Sequence, residues 1–179
     1  MPDIPQLTTS RLLLREFRQA DLNAYADMVA DPAVMRFLAD GRPLSRAEAW
    51  RQMAMFAGHW ALRGFGVWAV EERATGAFAG RIGCFEPEGW PGFEVAYTLA
   101  PPFWGRGYAR EGAAAALRYA REVLGRERVI SVIRPDNAAS IRVAESLGAT
   151  AGETVEFFGG PARLYEYPRG AERDASGEA

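Results

Sequence analysis

The amino-acid sequence predicts one α+β domain built on a mixed sheet. Three observations predict it. Strand-length apolar runs near 65–71, 78–85 and 93–99 follow one another across glycine-bearing turns, the pattern of strands joined to their neighbours. Two earlier stretches, Asp21 to Val29 and Ser45 to Leu62, carry helical spacing. After Leu99 the order changes to helix, strand, helix, the crossover arrangement that makes neighbouring strands parallel. No repeat or linker divides the chain, so the domain is expected to span residues 1–168.

Residues 11–17 read as the first strand, with Leu12 and Leu14 on one face and Leu13 on the other. In the second helix Ser45 is a cap with Glu48 three residues on. Trp50, Met53, Phe56 or Ala57, and Trp60 return on nearly one of its faces. Ala74-Thr75-Gly76 turns the chain between the strands at 65–71 and 78–85. Pro101-Pro102 stops the strand that ends at Leu99, and a helical run follows from about Glu111 to Leu124. Its Ala113 to Ala116 segment allows close packing on a sheet. A strand is expected over 128–133, and Asn137 then caps a further helix after Pro135-Asp136. Thr150 to Phe158 and Ala162 to Tyr167 form a hairpin around Gly159-Gly160-Pro161. Residues 169–179 are polar without apolar periodicity and are expected to be a disordered tail.

At 179 residues, 49% hydrophobic and 12% aromatic, the chain can bury a real core. A net charge of -2 gives no general attraction to nucleic acid or to an anionic membrane. No apolar run reaches membrane-spanning length, and Met1-Pro2-Asp3-Ile4 lacks the regions of a signal peptide, so a cytoplasmic location is expected. Cys84 is the only cysteine, which excludes an internal disulfide and a cysteine-cluster metal site. Lying in an apolar strand, it reads as a buried small hydrophobe rather than a nucleophile.

Trp104-Gly105-Arg106-Gly107-Tyr108-Ala109 sits between the strand ending at Leu99 and the helix that follows. Glycines at 105 and 107 leave no side chains to block an anion, so successive backbone N–H groups and the positive helix end can point at it. The expected guest is a pyrophosphate. Two common phosphate loops are excluded. The P-loop needs a lysine and this chain has none, every basic residue being arginine, while the dinucleotide fingerprint needs a third glycine where Arg110 stands.

This turn, with the following helix and strand, then Asn137-Ala138-Ala139-Ser140 and Leu147-Gly148-Ala149, resembles the GNAT N-acetyltransferase superfamily. Thr8-Thr9-Ser10-Arg11-Leu12-Leu13-Leu14-Arg15 and the Tyr97-Thr98-Leu99 block resemble more narrowly its Rim-type branch, whose namesakes acetylate ribosomal-protein N-termini. The resemblance covers about residues 7–168. It implies a single domain with a mostly antiparallel twisted sheet, helices on both faces, and fourth and fifth strands splayed to hold acetyl-CoA. Here those strands are 93–99 and 128–133. It also implies no metal, with an amine acceptor and acetyl-CoA as the partners. A homodimer is left open.

The same resemblance assigns cofactor-binding residues. Val95, Ala96, Tyr97 and Leu99 offer strand backbone to the pantetheine, an N–H near Ala96 or Tyr97 holding the thioester oxygen. The N–H groups of Trp104, Gly105, Arg106, Gly107, Tyr108 and Ala109 take the pyrophosphate, with Arg106 and Arg110 as charge partners. The family usually has glutamine or arginine where Trp104 stands, so only its backbone is assigned. Asn137 is implied as a pantetheine contact and Ser140 as donor to the leaving sulfur.

Glu94 is the first candidate for general base, because it lies on the strand beside the thioester and alternates away from Phe93, Val95 and Tyr97. The alternative for it is an exposed strand carboxylate. Glu86 and His59 follow, His59 reading more readily as a polar group within an amphipathic helix. Tyr165 and Tyr167 could donate to the thiolate but read more readily as core aromatics. Trp90, Phe93, the first two helices and the last hairpin are expected on the acceptor side. Neutralising an α-amine at pH 7 costs roughly 1 kcal/mol and a lysine roughly 4.6, so the absence of an obvious strong base favours an α-amine. A small-molecule amine, an amino acid or a noncatalytic acyl-CoA-binding module are the alternatives.

Overall fold

A computed structural model describes residues 4–169. The expected tail at 169–179 falls outside these residues apart from Arg169. One sheet of eight strands forms the centre, in the order β1-β2-β3-β4-β5-β6-β8-β7. The strands are β1 (Leu7–Thr8), β2 (Leu12–Arg15), β3 (Val67–Glu72), β4 (Phe78–Phe85), β5 (Glu94–Leu99), β6 (Ile130–Ile133), β7 (Thr150–Phe157) and β8 (Gly160–Glu166). The helices are α1 (Leu22–Ala30), α2 (Pro32–Met35), α3 (Arg46–Arg63), α4 (Tyr108–Glu122) and α5 (Ala138–Ser146). Every strand pair is antiparallel except β5 with β6.

The α+β class and the main elements agree with the sequence. Ser45 and Glu48 form the reciprocal cap of α3, and Gly64 ends that helix in the left-handed region at φ 74°. Two elements escaped the reading, β1 and α2, because two and four residues are too few to display a period. In α2 the Asp31 side chain accepts from Ala33 N–H and Pro32 opens the turn, so local chemistry alone makes it.

The second crossover departs from expectation. Helix α5 leads from β6 to β7, yet β8 lies between those strands, antiparallel to both. The reason is burial: β8 hides Ala162, Leu164 and Tyr165, whereas β7 is exposed along most of its length. The more apolar strand takes the inner place and leaves its polar partner at the edge.

Alternation along the strands divides the core. Leu12, Leu14, Trp68, Ile82, Cys84 and Val95 pack with Ala113 and Ala116 of α4 and Ala144 of α5. Val67 and Phe85 face the other way, into Tyr25, Met28, Met53 and Phe56 of α1 and α3. A Cβ on Gly112 would lie 2.3 Å from Ile82 Cδ1, which measures how closely α4 approaches the sheet. Cys84 is fully buried, and burial pushes its thiol up to about 12, so it behaves as a core residue.

Candidate active site

Between β5 and β6 the ladder opens. Their register holds at Glu94 and Ile130, and Ile130 N–H donates to Phe93 O at 2.9 Å. Beyond this point side chains bridge the gap. Ser131 Oγ donates to Val95 O at 2.6 Å and lies 2.9 Å from Tyr167 Oη, so Tyr167 must be the donor of that second bond. Glu94 Oε1 accepts from Val132 N–H at 3.0 Å, and Oε2 accepts from Trp90 Nε1 at 2.7 Å.

The alternation decides which strand groups face the gap. Ala100 N–H donates to Ala79 O on the β4 side, whereas Phe93 O and Val95 O point to β6. Odd-numbered residues of β5 therefore turn their backbone toward the gap. Tyr97 is the first residue past the bridged region to do so. Ala96 directs its backbone to β4, which corrects its assignment as a backbone contact; its methyl group lines the pocket instead. Val95 gives its carbonyl to Ser131, and Leu99 O accepts from Trp104 Nε1 at 2.7 Å.

At the open end lies the glycine turn. Gly105 and Gly107 have φ of 73° and 77°, left-handed values that only glycine adopts without strain. No side chain caps α4, so its first N–H groups keep their capacity to bind an anion. The turn is braced from far away in sequence. Glu111 accepts from Thr9 Oγ1, Ser10 Oγ and Arg11 N–H at 2.6, 3.0 and 2.8 Å. Arg11 also donates to Glu111 through Nε and to Arg106 O through Nη1, at 2.6 and 2.8 Å. Burial opposes ionisation of Glu111, but these bonds outweigh it and hold the carboxyl down at about 2.

Two cavities meet beside the gap. The first, about 640 Å³, reaches the glycine turn and is lined by Leu99, Trp104, Gly105, Gly107, Tyr108, Ala109 and Arg110. The second, about 340 Å³, is walled by Phe56, Phe85, Trp90, Phe157 and Phe158. Phe37, Leu38, Tyr97, Thr98, Asn137 and Ser140 border both. Asn137 Oδ1 accepts from Ser140 N–H at 3.2 Å, and Ser140 O accepts from Tyr97 Oη at 2.9 Å, so strand, cap and helix are tied at the junction.

Arg106 does not join this group. Its guanidinium pairs with Glu72 at 3.1 Å and stacks on Phe103, outside both cavities, which corrects its assignment as a charge partner. Arg110 stays, and Arg36 and Arg142 stand with it on the first cavity. No local pattern points to Arg36, whereas Arg142 follows Ser140 by two residues on the same helix and is visible there.

Glu94 is buried, not an exposed strand carboxylate. Burial pushes its carboxyl upward, opposed by the Val132 and Trp90 bonds and by the charge of Arg81. Sequence reasoning also passed over Arg81, a lone charge in the apolar strand β4 that lines the second cavity. His59 lies apart from both cavities. Its Nε2 accepts from Glu86 N–H at 3.2 Å, which makes Nδ1 the donor to Phe65 O at 2.7 Å. Tyr165 and Tyr167 are core residues and Phe93 packs into the same core. Glu86 faces Arg126 at 3.8 Å, away from the junction.

Among the described residues no cluster of side chains could hold a metal ion, and no helix is long and apolar enough to cross a membrane. A left-handed glycine pair before an uncapped helix, beside an opened parallel ladder, offers an anion site and a strand edge to one elongated ligand. The chain is 33% identical over 163 residues to the FsC-acetyl coenzyme A-N(2)-transacetylase of Aspergillus fumigatus, covering 84% of this chain and 67% of that one. It superposes on the crystal structure of an acetyltransferase from Agrobacterium tumefaciens with a TM-score of 0.84, at 30% identity, covering 94% and 97% of the two chains. RimL, a ribosomal L7/L12 alpha-N-protein acetyltransferase solved in complex with coenzyme A, shares the fold at a TM-score of 0.76, with 18% identity over 92% and 98% of the chains. Residues 11–150 match the acetyltransferase (GNAT) domain model, and the protein is thereby a member of the GNAT family of N-acetyltransferases.

Proposed function

We propose that the protein transfers the acetyl group of acetyl-CoA to an α-amine by direct attack in a ternary complex. The observation that carries this reading is the meeting of the two cavities at Tyr97, Thr98, Asn137 and Ser140. One cavity suits the nucleotide thioester and the other its acceptor. The turn amides from Trp104 to Ala109 bind the pyrophosphate, supported by Arg110 and Arg142 in place of Arg106. Tyr97 N–H polarises the thioester carbonyl, and Val95 to Leu99 position the pantetheine arm. As the amine attacks, its new C–N bond replaces the C–S bond. Glu94 accepts the amine proton, directly or through one water, and the Ser140 hydroxyl donates to the departing sulfur.

The choice of an α-amine follows from the base. A carboxyl raised by burial accepts a proton more readily than a surface carboxylate, and a less basic amine asks less of it. At pH 7 the neutral α-amine costs roughly 1 kcal/mol against roughly 4.6 for lysine. The relatives' names, an N(2)-transacetylase and an alpha-N-protein acetyltransferase, support an amino-nitrogen acceptor. An amine panel assayed by thiol release tests the proposal, with peptides of different first residues, free amino acids, polyamines and N-blocked peptides containing lysine. Release confined to the free α-amines is expected. Turnover only with lysine side chains or polyamines would overturn the α-amine, and acetyl-CoA binding without release for any amine would leave a noncatalytic acyl-CoA-binding module.

A further inference from the structure

Three charged side chains line the acceptor cavity: Arg81, Glu94 and Arg134. Two have partners. Arg134 donates to Pro161 O, Ala39 O and Phe158 O at 3.2, 2.9 and 3.3 Å, fastening the hairpin to the loop after α2. Glu94 is taken by Val132 and Trp90. Arg81 has no ion pair among the described residues; its guanidinium lies beside the Tyr25 hydroxyl, and its Nε is buried without a partner. Its guanidinium lies over the Phe56 ring, 5.2 Å from the centroid.

A planar cation with five donors, stacked on an aromatic ring and without an acid partner on the wall of a largely apolar cavity, is built for a carboxylate. Burying a guanidinium without its hydrogen bonds is unfavourable, and a bidentate carboxylate removes that penalty. Glu94 feels the charge of Arg81 but forms no ion pair with it, its oxygens being turned to Val132 N–H and Trp90 Nε1. The walls Phe85, Trp90, Phe157 and Phe158 supply apolar cover beside the charge. At about 340 Å³ the space lies at the small end of ligand sites, the scale of one or two residues.

We propose that the acceptor carries a carboxylate beside its amine, and that Arg81, set over Phe56 on the wall of the aromatic cavity, binds it. The proposal rests on the acetyltransferase reading and narrows its substrate to amino acids or to peptide N-termini with an acid close to the amine. Arg81 is here a specificity residue. It does not touch the thioester.

The test compares matched acceptors by thiol release with the purified full chain. One pair is phenylalanine and phenylalaninamide, with rates referred to the neutral-amine fraction. The other is Ala-Asp-Phe-amide and Ala-Asn-Phe-amide, whose amines are alike. An acid-over-amide preference of about 10- to 100-fold in kcat/KM is expected in at least one pair, the size of a hydrogen-bonded charge interaction. The first pair showing it identifies a free amino acid, the second a peptide terminus. Arg81→Gln should collapse that ratio toward one and Arg81→Lys should restore part of it, with the acetyl-CoA Kd from calorimetry as the check on folding. Equal rates within both wild-type pairs would overturn the carboxylate proposal while leaving acetyl transfer standing. A preference that persists in Arg81→Gln would overturn the role of Arg81, and absence of acetyl-CoA binding by the wild-type chain would sink the underlying reading itself.

Discussion

Replacing Glu111 by glutamine keeps the shape of the first turn of α4 and removes the charge that gathers Thr9, Ser10 and Arg11. The folded carboxyl titrates at about 2, against 4.5 for the free group. A depressed value means that the ionised form stabilises the fold, fully above the unfolded value, and that this contribution fades as pH falls through the folded one. Unscreened, the difference would correspond to about 3 kcal/mol at pH 7; with Arg11 half exposed to solvent, about 1 to 2 kcal/mol remains at pH 7, under about 1 at pH 3 and a few tenths at pH 2. Urea unfolding followed by circular dichroism at these three values should therefore place Glu111→Gln well below the parent at pH 7, with the two curves converging in acid. Because Arg11 also holds Arg106 O, acetyl-CoA affinity should fall in the same variant at pH 7. A stability gap under 1 kcal/mol at pH 7, or a gap that does not shrink on acidification, would refute the assignment of Glu111 as the brace of the turn.

Glu94→Gln should lower kcat by about 100-fold or more with little change in acetyl-CoA affinity, as removal of a general base does; steady-state kinetics and calorimetry separate the two. Ser140→Ala should reduce kcat by about tenfold and leave the acetyl-CoA Kd within about twofold, since the hydroxyl acts on the leaving sulfur. Calorimetry on Arg110→Ala and Arg142→Ala should show acetyl-CoA binding weakened about tenfold each. Arg106→Ala, whose parent side chain is tied to Glu72, should change it by less than about threefold.

The glycine turn, the paired strands around it and the Asn137 cap were legible because each is a local statement: φ above zero, apolar alternation, a side chain reaching its own helix. What the sequence concealed is tertiary. Arg106 stands in the middle of the turn, and nothing nearby reveals that Glu72, from a strand more than thirty residues earlier, holds it outside. Its own strand leaves Glu94 either a base or an exposed carboxylate, and only the opening of the ladder brings Val132 N–H onto it. Arg81 becomes conspicuous once Phe56 lies beneath it and no acid pairs with it. The place of β8 was hidden for a similar reason, since competition between the two hairpin strands for the inner position is settled by their relative burial.

The bridge through Ser131 has an outcome for handling the molecule. Tyr167 is fastened by its N–H to Val129 O and by its carbonyl to Arg121, and its phenol steadies the hydroxyl that spans the divided ladder. Residues 9–11 do a corresponding job through Glu111 at the opposite mouth. Trimming to a shorter expression fragment, on either flank, would thus remove a support from the walls of the crevice.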